Sequence, residues 1–187
     1  MDPIRNDERL AELVAEHGEL AVEPAEDEFE RFVVSIVNQQ LSTQSAAAIR
    51  ERLFDRFEVT PAAMLAADED ALRDVGLSSQ KVSYVRNVAE AFQTDDLTRD
   101  GMAHLSDADV VARLTEIRGV GDWTAKMYLI FVLGREDVFP VEDLGIRKAM
   151  AQLYEIDADD RSAMVERAEA WRPYRSLASR YLWRAVD

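Results

Sequence analysis

A chain of 187 residues with 48% hydrophobic content can fill one core or two small lobes, which excludes a disordered tail. With no cysteine and only His17 and His104 as histidines, it has no disulfide framework, thiolate zinc site, iron–sulfur cluster or cysteine nucleophile. Net charge is −15, from 37 acids against 22 bases, and only Lys81, Lys126 and Lys148 are lysines. Excess Asp and Glu with little Lys suggests a halophilic, high-salt solvent in which the Debye length falls to roughly 3 Å or below. Short-range contacts survive such screening, so acidity alone does not argue against a nucleic-acid partner.

The first ten residues, MDPIRNDERL, are charged from the second position, and no apolar run approaches the length of a membrane span. A cytoplasmic protein without membrane contact is expected. Residues 1–30 hold eleven acids and two arginines, whereas residues 171–186 hold four arginines and no acid. That second stretch is either a polyanion face or an ordinary solvated helix.

In chain order, Phe29, Phe32, Val33, Ile36 and Val37 follow the spacing of an amphipathic helix. Ser42 can cap a helix running to about Phe57, and Pro61 starts a short one. Val82, Val85, Ala89 and Phe92 repeat the helical pattern, and Ser106 with Asp109 resembles a capping pair before Val110–Leu114. Thr124–Leu133 is apolar on most sides and predicts a central buried helix stopped by Gly134, with further helices at about 143–153, 160–170 and 173–186. Asp137–Val141 is the one short extended candidate and reads as a connection, so the fold class is all-α.

The most informative stretch is Leu114-Thr-Glu-Ile-Arg-Gly-Val-Gly-Asp-Trp-Thr-Ala-Lys126. A helix end, a tight turn at Gly119, Val120 and Gly121, and the start of the buried helix aim backbone N–H groups outward. That geometry can hold a phosphate oxygen without net positive charge, although a lone GxG is also just a helix–helix turn. Four further segments stand in order around it: Ile36-Val-Asn-Gln-Gln-Leu-Ser-Thr-Gln-Ser-Ala46, Gly76-Leu-Ser-Ser-Gln-Lys-Val-Ser-Tyr-Val-Arg86, Phe139-Pro-Val-Glu-Asp-Leu-Gly-Ile-Arg-Lys148, and Trp171-Arg-Pro-Tyr-Arg-Ser176 followed by Trp183.

Together these segments resemble the helix-hairpin-helix (HhH-GPD) DNA glycosylases over about residues 28–186, and the closing segment is similar to the alkylpurine branch, the 3-methyladenine DNA glycosylase II type. The resemblance implies a catalytic aspartate at the start of the helix after the hairpin, and the alignment of Asp-Leu-Gly-Ile-Arg selects Asp143 over Glu142. Cleaving an N-glycosidic bond develops positive charge on the sugar, which a carboxylate beside the anomeric carbon stabilises. Capping of its own helix is the alternative role for Asp143.

Bifunctional members carry a lysine two residues after the second hairpin glycine; Trp123 stands there, which implies a monofunctional enzyme, with Lys126 turned to another direction. Trp123 and Trp183 resemble the aromatic walls that stack on an electron-poor flipped base, with Met127 and Leu144 where the branch often adds tyrosines. By position Gln40 resembles the wedge that fills the vacated stack. Gln39, Thr124 and the hairpin residues would meet the DNA backbone, and Arg147, Lys148, Arg172 and Arg175 are candidate phosphate contacts.

The implied architecture is two helical lobes with an active cleft between them, Trp123 and Asp143 facing each other across it. One lobe covers 34–133 with the hairpin motif at about 112–133, and the other is formed by 1–33 plus 134–187. The expected partner is double-stranded DNA with damaged bases, bound by a monomer. No cofactor or metal is required, though the family allows a monovalent cation on hairpin carbonyls. Two other readings keep part of this picture: the same fold acting on uracil, mismatched thymine or oxidised purines, and a noncatalytic DNA-binding module. A purely structural acidic protein would leave the motif order unexplained.

Overall fold

The computed structural model describes residues 2–186, and among them all regular structure is helical. In chain order the helices are α1 (Pro3–Asn6), α2 (Glu8–His17), α3 (Glu28–Asn38), α4 (Thr43–Arg56), α5 (Pro61–Ala66), α6 (Glu69–Asp74), α7 (Ser79–Thr94), α8 (Arg99–Met102), α9 (Asp107–Thr115), α10 (Asp122–Phe131), α11 (Leu144–Tyr154), α12 (Arg161–Ala168), a single 3-10 turn (Glu169–Trp171), and α13 (Arg175–Arg184). The all-α expectation holds. None of these helices is long and apolar enough to cross a membrane.

Helix starts are written in short polar side chains. Asp2, Asp7, Asp27, Ser42, Thr60, Asp68, Ser78, Thr98, Ser106, Asp143 and Asp160 each accept a backbone N–H from the first turn of the helix they precede. Each such cap contributes about 1 kcal/mol, so part of the acidic composition does structural work at helix ends. Asp137–Val141 is a connection, as its sequence suggests, and α10 begins two residues before and ends two before the expected span.

The chain divides into two compact units, one formed by Ala25–Tyr128 and the other by the residues up to Pro24 together with those from Leu129 onward. These limits differ from 33/34 and 133/134 for a packing reason. Phe29 and Phe32 of α3 meet the ring of Phe92 on α7 nearly edge-on, at 5.3 and 6.0 Å between centroids, which brings α3 whole into the continuous unit. Phe32 also packs against Tyr128, 5.1 Å away. Fully burying a side chain of this size contributes roughly 1.5–3 kcal/mol, more than the helix propensity of any one residue.

The discontinuous unit surrounds Trp171, which is completely buried, with Phe139 and Tyr154 at 5.9 and 5.6 Å. Its N-terminal part joins this core through Ile4, Leu10 and Leu13. α2 is capped by Asp7, whose carboxylate also accepts hydrogen bonds from Trp171 and Tyr154 in this core. The segment that follows is strapped to α13: Tyr181 donates its hydroxyl to the Gly18 carbonyl and accepts from the Leu20 N–H, both at 3.0 Å.

Candidate active site

In the continuous unit, the turn between α9 and α10 is built around Gly119, whose φ of 104° favours glycine. A Cβ there would stand 2.2 Å from the ring of Tyr84, so the aromatic ring of α7 occupies the space that a side chain needs. Around the turn, side-chain amides fasten the backbone: Gln39 Nε2 donates to the Gly119 carbonyl and to Thr124 Oγ1, each at 2.9 Å, and Asn87 Nδ2 donates to the Arg118 carbonyl at 2.9 Å. Lys81 Nζ in turn donates to the carbonyls of Val37 and Gln39 at 2.6 and 2.9 Å, and burial holds this amine below the usual lysine range. Gly121 faces the other way, exposed, with nothing within 4 Å of a Cβ placed on it. The hairpin is therefore clamped on one side and open to close approach on the other.

Gln39 and Thr124 thus belong to the clamp, since Thr124 is buried and the Gln39 amide already bonds inward. Val120 is buried as well. Gln40 lies at the exposed tip between α3 and α4 with φ of 55°, a conformation that non-glycine residues seldom adopt, and Leu41 beside it is 38% exposed. On α10, Trp123 and Met127 are four residues apart and share a helix face, the tryptophan half-buried and the methionine buried.

In the discontinuous unit, Asp143 caps α11 with Oδ1 accepting the Ile146 N–H at 2.9 Å. The same oxygen accepts the indole Nε1–H of Trp183 on α13, also at 2.9 Å. The indole is stacked on Phe131, 5.7 Å between centroids and 28° between planes, so its donor direction is fixed by aromatic packing. Leu144, the next residue, is 56% exposed. A half-buried carboxylate at a helix N-terminus, held by two donors beside an exposed apolar side chain and an indole, is a preorganised anion suited to a developing positive charge.

At the arginine-rich end, Arg172 and Arg175 are paired with carboxylates. Arg175 makes 2.6 and 3.2 Å contacts with the two oxygens of Asp137 and a 3.0 Å contact with Glu169, and its side chain is only 12% exposed. Arg172 joins the same two carboxylates at 2.5 and 2.7 Å. These carboxylates belong to the same unit as the two guanidiniums, Arg175 nearly buried and Arg172 half-exposed. Arg147 leans toward the Ala158 carbonyl and Asp159, 3.5 and 3.6 Å away, and Lys148 is exposed on the same helix. Phe131, Tyr84 and Gly145 escaped the sequence reading; a glycine inside the first turn of α11, where alanine forms helix better, was a signal for the last of them. Among the described residues no group of three or more His, Cys, Asp or Glu side chains is placed to hold a metal ion.

A helical fold with a clamped Gly-Val-Gly hairpin and an N-capping aspartate downstream defines a class, and residues 33–174 match the HhH-GPD superfamily of base excision DNA repair proteins. The chain belongs to this superfamily. It is similar to DNA-3-methyladenine glycosylase 1 of Schizosaccharomyces pombe, 30% identical over 189 residues that cover 96% of this chain and 81% of that protein. It is also 30% identical to Bacillus subtilis YfjP over 81% of this chain, spanning 56% of that relative's length. Among solved structures, S. pombe 3-methyladenine DNA glycosylase (Mag1) in complex with abasic DNA superposes with a TM-score of 0.85 at 29% identity, over 95% of this chain and 91% of that one.

Proposed function

We propose that this protein is a monofunctional DNA glycosylase that releases alkylated purines of the 3-methyladenine and 7-methylguanine type from duplex DNA. The observation that carries the reading is the doubly held carboxylate of Asp143. As the C1′–N bond breaks, its electron pair leaves with the base and positive charge spreads over the sugar. Asp143 faces that charge as a fixed anion that needs no reorganisation, and it orients the water that adds to C1′. The products are the free base and an abasic site, which fits the likeness to a glycosylase solved with abasic DNA.

An alkylated purine is often cationic, and the face of Trp183, backed by Phe131, suits it. Trp123 stands where a Schiff-base lysine would be needed, so water is the nucleophile and the strand stays intact. The open side of the hairpin at Gly121 receives the DNA backbone, and Gln40 fills the vacated stack. The protein acts as a monomer on double-stranded DNA. A monovalent cation at the hairpin would share carbonyls that already accept N–H donors, those of Ile117, Arg118 and Gly119.

The test is incubation with methylated duplex DNA in roughly molar potassium chloride, with the released bases quantified by chromatography. Native protein should liberate 3-methyladenine or 7-methylguanine, Asp143→Asn should not, and strand breaks should appear only after alkali. Bound DNA with no base released would overturn the alkylpurine assignment, and a borohydride-trapped adduct would overturn the monofunctional one.

A further inference from the structure

The structure assigns Gly145 a positioning role: having no side chain, it lets the Trp183 indole and the Asp143 carboxylate meet over the first turn of α11. A Cβ on Gly145 would lie 3.0 Å from Asp143 Oδ1 and 3.1 Å from Cδ1 of Trp183. Both distances are shorter than ordinary contacts, and they involve the two partners of the hydrogen bond that holds the carboxylate. Neither partner has an easy direction of retreat. Asp143 Oδ1 is tied to the Ile146 N–H by the helix cap, and the indole is stacked on Phe131.

The position is otherwise one where glycine is a poor choice. Its backbone φ is not in the left-handed region, and alanine forms helix better than glycine at such a site. Local propensity therefore favours a methyl group that the site geometry refuses. The glycine is kept for access and not for backbone freedom, and its substitution separates stability from activity.

This inference rests on the reading of Asp143 as the catalytic carboxylate, and the experiment keeps the two apart. The chain has three tryptophans, so three indole N–H resonances are expected, and Trp183→Phe identifies the one from Trp183. Asp143→Ala marks the position of that resonance without its acceptor. In Gly145→Ala the resonance should move toward the Asp143→Ala position and exchange faster with solvent, while the melting temperature stays level or rises.

On methylated DNA, the kcat of Gly145→Ala should fall about tenfold with KM nearly unchanged, the rate equivalent of ~1.4 kcal/mol lost from a hydrogen bond to a charged group. Adding Gly145→Ala to Trp183→Phe should then cost little more. An unmoved resonance overturns the proposal, as does a moved resonance with native kcat while Asp143→Asn is inactive. If native protein and Asp143→Asn alike release no base, the catalytic reading has failed, and the resonance still decides whether Gly145 holds the contact.

Discussion

Asp7 and Asp143 occupy the same local motif in the same unit, and their surroundings differ. Each caps a helix, and each accepts an indole Nε1–H, Asp7 from Trp171 at 2.8 Å and Asp143 from Trp183 at 2.9 Å. Around Asp7 the protein closes completely: Tyr154 donates its hydroxyl at 2.9 Å, Arg167 forms an ion pair, and 7% of the residue is exposed. Around Asp143 it stays half-open beside Leu144. A capped, indole-bonded aspartate is thus a lock when its remaining surface is covered; left half-open, as at Asp143, it is available for the role proposed for it.

The largest expected effect separates the two at once. Asp143→Asn should keep its cap and melt within about 0.5 kcal/mol of native protein, while base release falls roughly a hundredfold or more. Asp7→Ala should do the reverse in urea denaturation, losing about 3 kcal/mol because Trp171 Nε1 and the Tyr154 hydroxyl are left buried without their acceptor. If Asp143→Asn unfolds the protein or Asp7→Ala leaves stability untouched, the comparison is wrong.

Next in size, Gly119→Ala should lose about 2 kcal/mol of stability from its positive φ and the Tyr84 ring, with weaker DNA binding. The same comparison predicts a pH dependence. Burial alone would push the Asp7 carboxyl up, but hydrogen bonds from Trp171, Leu10 and Tyr154 and the charge of Arg167 hold it below its ordinary value of 3.8. A depressed folded-state pKa means that the contribution is complete above the ordinary carboxylate range and is lost as pH falls below about 4. Thermal melts should show that acid loss in native protein and a flatter profile in Asp7→Ala. The smallest effect belongs to Arg172→Ala, which should leave the salt dependence of DNA binding and the urea midpoint close to native, because its exposed charge is spent on Asp137 and Glu169.

Legibility in the sequence followed the reach of the forces involved. α3, α4 and α7 were readable because their caps and apolar spacing are local, and the ordered segments placed the hairpin and Asp143. α2 carries the same local signals, an Asp7 cap and Leu10, Leu13 and Val14 at helical spacing; what no local pattern shows is that Asp7 also reaches partners 147 to 164 residues away. The same limit hid the fate of Arg172 and Arg175, which look like free cations in a list of residues and meet Asp137 only through the fold. Trp183 could be named as a wall from the resemblance, but its bond to Asp143 and the vacancy kept by Gly145 needed coordinates.

The chain order of the two units has a consequence in time. Residues 25–128 form one continuous unit, whereas Leu10 and Leu13 share their core with Tyr181 and Leu182 at the far end of the chain. During synthesis at about 5–20 residues per second the continuous unit can fold as it emerges, while the first two helices wait roughly ten to thirty seconds for their partners.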